Sequence, residues 1–198
     1  MGNIHHRIET TSPAAQTHFD AGLALAYGFN YDEAMVEFVE ATHADPSCAM
    51  CWWGIAYTQG PNINAALKQY PPAYDIAVRA NKLAKTPIEK ALTRAMMARL
   101  SANSPMINYK LRAELDEAYL AAMQEAAKLA PDDVDVQTLL GEALMMATPP
   151  FIPGWKKDGT PAFPRIEESR RVLEQAVMRA PDHIGAIHFW IHIVDASP

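Results

Sequence analysis

Cysteine is scarce in this 198-residue chain: Cys48 and Cys51 alone cannot build a disulfide framework. Long apolar runs are missing as well. The stretch 187–194 is short and interrupted by two histidines, so nothing here reads as a helix that spans a bilayer. Positive charge is in the minority, with 17 Lys and Arg against 23 Asp and Glu and a net charge of −6. No basic stripe offsets that balance, which argues against nucleic acid as a partner. Alternating Val, Ile and Thr runs, the mark of strands, are rare. Residues 1–6 show no basic segment leading into an apolar one. The chain as it stands therefore reads as cytoplasmic, or as periplasmic or exported if a leader has been removed. No Ser/His/Asp order, phosphate-cradling glycine loop or pair of catalytic carboxylates is legible.

What is present points to helices. Hydrophobic residues make up 49% and charged residues 20%, enough apolar side chain for a real core. Alanine and the ten methionines favour helix. Thr11-Ser12-Pro13 combines a cap with a first-turn proline and predicts a helix to about Tyr27, after which Gly28-Phe29-Asn30 turns the chain. Asp45-Pro46 ends a helix over 31–44, and Gly60-Pro61 ends one over 47–59. A helix over 72–85 precedes Thr86-Pro87-Ile88-Glu89, a capping box that opens a helix to about Leu100. Ser104-Pro105 breaks the chain. Helices over 108–130, 133–147, 166–180 and 182–195 follow, the last with Asp182 as its cap. The segment 148–164 interrupts them with Pro, Gly, Phe151, Trp155 and Phe163.

The blocks repeat. Gly22 to Pro46 spans 24 residues, and Gly141 to Pro181 spans 40, longer by an insertion of 16 that falls on 148–164. Pro46 to Ala56 and Pro131 to Gly141 are both 10 residues. Ala34, Phe38 and Ala41 share one helix face, as do Ser169, Leu173 and Ala176. Gly22, Ala34, Phe38, Ala41 and Pro46, then Trp52, Ile55 and Ala56, then Leu140 and Gly141, resemble the tetratricopeptide repeat (TPR), a helix–turn–helix unit of about 34 residues. The fold expected is all-α: a right-handed α–α superhelix, a TPR-like solenoid of about four helix pairs and one unpaired helix. Residues 1–198 would form one domain, with 148–164 as an inserted loop.

Longer stretches are similar to an uncharacterised bacterial family of TPR proteins. They are Ala15-Gln16 with 19–23, 29–34, 45–54, the Gly60-Pro61-Asn62-Ile63-Asn64 loop, and 183–192 with its His188-xxx-His192 helix. Members of that family are longer, often exported, and continue into a further His-rich helical segment. The family pattern usually has a histidine after the Phe-Asn pair, where this chain has Tyr31. The C-terminus supports truncation independently: Ile187, Trp190, Ile191 and Val194 form an apolar face with no partner helix behind it. Either the chain is a fragment or a homodimer through the last helix seals the end.

Candidate chemistry centres on His188, His192 and Asp195, spaced +4 and +3 on one helix face. Two imidazoles one turn apart suit Zn²⁺ or another divalent metal, and the carboxylate could be a third ligand. The alternative is a pair of histidines hydrogen-bonded in a repeat interface. Cys48-Ala49-Met50-Cys51 has redox or metal spacing, but lacks both a βαβ context and a second cysteine pair. The two are better read as small buried side chains, with a reactive thiol left open. Asn30, Asn62 and Asn64, with Gln16 and Gln59, either line a groove or satisfy turns. Trp155 belongs to a lid or to a surface loop. His5 and His6 read as incidental, and His18 and His43 as solvated or capping. The functional expectation is a non-enzymatic TPR scaffold holding a protein or peptide partner in its concave groove. The alternative is a metal-binding protein or metal-dependent enzyme using His188, His192 and Asp195, completed by a missing C-terminal segment. A small molecule under the Trp155 loop is a third possibility.

Overall fold

Caps and prolines set where each helix begins. The computed structural model describes residues 4–102, 108–148 and 154–195; Phe151 and the Ser104-Pro105 break lie outside the described residues. Helix α1 (Pro13–Tyr27) starts behind Ser12, whose hydroxyl accepts the Ala15 N–H. Helix α2 covers Tyr31–Ala44 and α3 covers Ala49–Gln59. Cys48 caps α3 by accepting the Cys51 N–H on its sulfur. The two cysteines are buried, as their apolar setting suggests, and are joined in a disulfide, so neither is a reactive thiol. Helix α4 is Ala73–Leu83. Helix α5 (Pro87–Arg99) opens on the Thr86/Glu89 capping box. Helices α6 (Tyr109–Leu129) and α7 (Val134–Met146) are capped by Asn108 and Asp133. Helix α8 is Pro164–Arg179 and α9 is Ile184–Val194.

These ends lie within two residues of those read from the sequence. One cap differs. His183, not Asp182, caps α9, because its Nδ1 reaches the Ala186 N–H while Asp182 sits one residue too early and stays exposed.

Each helix packs on the next, from α1 on α2 through α8 on α9. Odd-numbered helices also pack closely, α1 on α3, α3 on α5 and α7 on α9, whereas α5 and α7 are joined through the Arg99 and Glu142 side chains. The even-numbered helices do not pack on one another, so they form the outer layer of an all-α superhelix of TPR-like pairs. The four pairs are α1–α2, α3–α4, α5–α6 and α7–α8, and α9 is unpaired. The arc is tight enough that α9 comes back against α1. Part of the apolar side of α9 is thereby covered: Phe189 and Ile193 are buried, whereas Ile191 stays 48% exposed.

Small residues set the spacing between layers. The Phe38 ring of α2 is wedged between Gly22 of α1 and Gly54 of α3. Leu173 packs in the same way on Gly141, and Tyr27 on Gly185. A Cβ at Gly54 would lie 2.2 Å from Phe38 Cδ1, and Gly22 blocks the ring's retreat. It is thus Gly54, two residues before the Ala56 marked by the repeat phase, that admits the ring. Gly54→Ala gains about 1 kcal/mol of helix propensity. Overpacking costs about 1–3 kcal/mol, and here it is near the upper end because the ring is held on both sides. Thermal unfolding should show a lower Tm for Gly54→Ala. Gly28→Ala, at an exposed helix end where the nearest atoms are 3.4 Å away, should leave it nearly unchanged. Equal Tm values for the two variants would contradict the wedge.

Candidate functional site

Two buried polar clusters occupy the inner side of the arc, and neither was legible in the sequence. In the first, the Arg99 guanidinium at the end of α5 donates to both carboxylate oxygens of Glu142 on α7, at 2.8 and 2.7 Å, and to the Pro61 carbonyl at 2.7 Å. Arg99 is 0% exposed and Glu142 1%. Tyr57 and Tyr119 each donate a hydroxyl to Glu142 at 3.3 Å, and both rings lie about the guanidinium. Burial pulls the Arg99 pKa down, but the Glu142 carboxylate outweighs it and holds the guanidinium charged. Arg112 adds a bond from its guanidinium to the Arg99 carbonyl and pairs with Asp116 at 2.9 Å.

The second cluster surrounds Asp135 on α7. Its Oδ1 accepts the Tyr27 hydroxyl at 2.9 Å and His183 Nε2 at 3.0 Å, and its Oδ2 meets His6 Nδ1 at 3.1 Å. His6 was read as incidental from the sequence. It is instead a half-buried partner of Asp135, because residues before α1 lie along the fold with Ile4 and Ile8 buried. Gln16 pins this strap: it accepts the Ile8 N–H and donates to the His6 carbonyl and to Asp20. Gln16 is therefore structural.

Among the described residues, His6, Asp133 and Asp135 form the one group of three His, Cys, Asp or Glu whose donor atoms lie within 4.8 Å of one another. His6 Nδ1 and both Asp135 oxygens are already in hydrogen bonds. His183 Nδ1 accepts an N–H, so its Nε2 carries the proton and donates it to Asp135. The cluster is a tie between α1, α7, α9 and the strap.

Beside these clusters lies an open cavity of about 850 Å³. Its walls come from the 60s loop, α6, the end of α7, the segment from Gly154 into α8, and α9. Three of the sequence candidates meet there: Asn64, Trp155 and His192. Met145, Phe163 and Ile166 supply apolar surface, and Arg112 and Asp116 supply charge. Trp155 is held in place by donating its indole N–H to the Ile193 carbonyl at 2.6 Å. Its loop folds back on itself, with Lys156 N–H donating to the Thr160 carbonyl and Ala162 N–H to the Gly154 carbonyl, both at 2.8 Å.

The other candidates are placed differently. Asn62 is buried behind the wall and accepts the Asn64 N–H at 2.9 Å, a turn role. Asn30 is exposed at the start of α2 and makes no side-chain cap. Gln59 is buried, with its side-chain N–H group toward the Met35 sulfur. His18 pairs with Glu37, and His43 with Glu40. His188 and His192 come together, Nε2 to Nε2 at 3.2 Å, but Asp195 is not within ligand distance of the pair.

The class defined by this arrangement is an all-α superhelix of TPR-like pairs, with a cavity walled by loops, by α6 and α8, and by the ends of α7 and α9. No family model and no curated protein matches the chain. Among solved structures it is similar to YrrB, a TPR protein with an unusual peptide-binding site. That likeness covers 91% of this chain and 76% of the other at 14% identity, with a TM-score of 0.37.

Proposed function

We propose that this chain is a non-enzymatic TPR-type scaffold that holds a segment of a protein or peptide partner in the cavity walled by Asn64, Trp155 and His192. The cavity itself is the observation that carries this reading. It is concave and mainly apolar, with a few converging polar groups, and its 850 Å³ falls in the range of ligand pockets, about 300–1,000 Å³. The anchor that fits is an aromatic or aliphatic side chain flanked by groups able to bond Asn64 and His192. The net charge of −6 goes with a protein partner rather than a nucleic acid. The enzyme alternative asks for a third protein ligand beside His188 and His192. Asp195 does not supply it.

A peptide array carrying apolar anchors in varied polar contexts tests the proposal. Bound peptides should lose roughly thirtyfold in affinity with Trp155→Ala, the size of an interfacial hot spot of about 2 kcal/mol. Met145→Glu, which places a charge in the cavity lining, should weaken the same peptides. An array without binders, or binders indifferent to both variants, would remove the cavity as the site.

A further inference from the structure

We infer that His188 and His192 together hold one divalent transition-metal ion through their Nε2 atoms, at the rim of the cavity. The two rings stand one turn apart on α9, and their Nε2 atoms converge to 3.2 Å. Two nitrogens that each lie about 2.0–2.1 Å from a tetrahedral ion are separated by about 3.3 Å, so the rings already stand at the spacing of a ligand pair.

The tautomer of His188 is fixed by its surroundings. Its Nδ1 faces the Tyr27 carbonyl, an acceptor, so Nδ1 carries the hydrogen and Nε2 is left with a lone pair. A metal-binding imidazole is commonly oriented in this way, by donating its other N–H to a carbonyl. His192 Nε2 points at that lone pair. Two lone pairs cannot face each other at 3.2 Å unless something positive stands between them. Without an ion, His192 supplies its Nε2 hydrogen. With an ion, the hydrogen sits on His192 Nδ1 and both Nε2 atoms ligate.

Phe29 keeps the rings in register. It is the one non-glycine residue with a positive φ, 61°, among the described residues, and this places its ring 4.4 Å from His188 and 5.4 Å from His192. The backbone strain thus supports the orientation of both imidazoles. Neutral imidazole pairs suit Zn²⁺, Cu²⁺ and Ni²⁺, not Mg²⁺ or Ca²⁺. His192 also lines the cavity, so the remaining positions on the ion face it and are open to water or to a donor group of a bound partner.

Titration of tag-free full chain with Cu²⁺, followed by calorimetry and by electron paramagnetic resonance, tests this inference. The expected result is one ion per chain with hyperfine coupling to two imidazole nitrogens, together with a raised Tm. His192→Gln removes an exposed ring; with an unchanged circular dichroism spectrum, it should weaken binding by at least tenfold and reduce the coupling to one nitrogen. His18→Gln, away from the pair, should change neither. Absence of a one-to-one site, or equal affinity and unchanged coupling in His192→Gln, would overturn the assignment.

Discussion

Arg99→Met should unfold far more easily than the wild-type chain, by about 3–5 kcal/mol, the usual cost of leaving a buried charge without its partner. The substitution keeps much of the side-chain volume but strands the Glu142 carboxylate, which is 1% exposed, with only the Tyr57 and Tyr119 hydroxyls to meet it. It also removes the donors to the Pro61 carbonyl. Against a domain stability of about 5–15 kcal/mol, this is a large fraction. Urea denaturation followed by circular dichroism reads the loss as a lower midpoint. The Arg99→Met/Glu142→Met double variant should recover most of it, because both charges leave together. A single-variant loss below about 1 kcal/mol would mean that the pair is solvated, as exposed ion pairs of that worth are.

Asp135→Ala comes next, at about 3 kcal/mol, since it orphans three donors from three parts of the chain: Tyr27, His183 and His6. The strap before α1 should then become sensitive to proteases at 4–12 while the helices persist, which brief proteolysis and mass spectrometry would show.

The same cluster shapes the pH dependence. Burial pushes the Asp135 carboxyl up, but the hydrogen bonds from His183 and His6 and the charge of His6 more than reverse it, so it is held well below its ordinary value of 3.8. Its contribution is present above pH 3.8 and is lost as pH falls through the folded value. For His6, burial lowers the pKa, but the Asp135 bond and the charges of Asp135, Asp133 and Asp20 outweigh it and raise it above 6.5. That contribution is complete below pH 6.5 and is lost as pH rises through the folded value. Stability should therefore decline on both sides of the range between those two ordinary values. His6→Gln should flatten the alkaline limb, and an unchanged limb in that variant would assign the decline elsewhere.

Helices and their pairing were legible because local chemistry writes them. Ser12-Pro13, the Thr86/Glu89 box and Asp133 are caps that act within three or four residues. Phe38 could be read as a core residue for the same reason, through its spacing from Ala34 and Ala41. Trp155, Asn64 and His192 were found one by one, from a long loop, a turn and a helical spacing, but their meeting in one cavity was not. The buried charges were missed because their partners are remote. Arg99 and Glu142 are 43 residues apart, and His6 and Asp135 are 129 apart. One sign was available. Glu142 stands among Leu139, Leu140, Gly141, Ala143 and Leu144, and a lone carboxylate on a helix that is apolar on nearly every side marks a buried charge in need of a cation.

The return of α9 to α1 alters how the array comes apart. In an open solenoid each unit leans only on its neighbours, and terminal units fray independently. Here Tyr27, near the end of the first helix, bonds Asp135 through its hydroxyl and His188 through its carbonyl, and its ring packs on Gly185. Neither terminal helix can peel away without opening this junction. The contact of α9 with α1 joins the two helices into one unit, so they should be lost together when the chain unfolds.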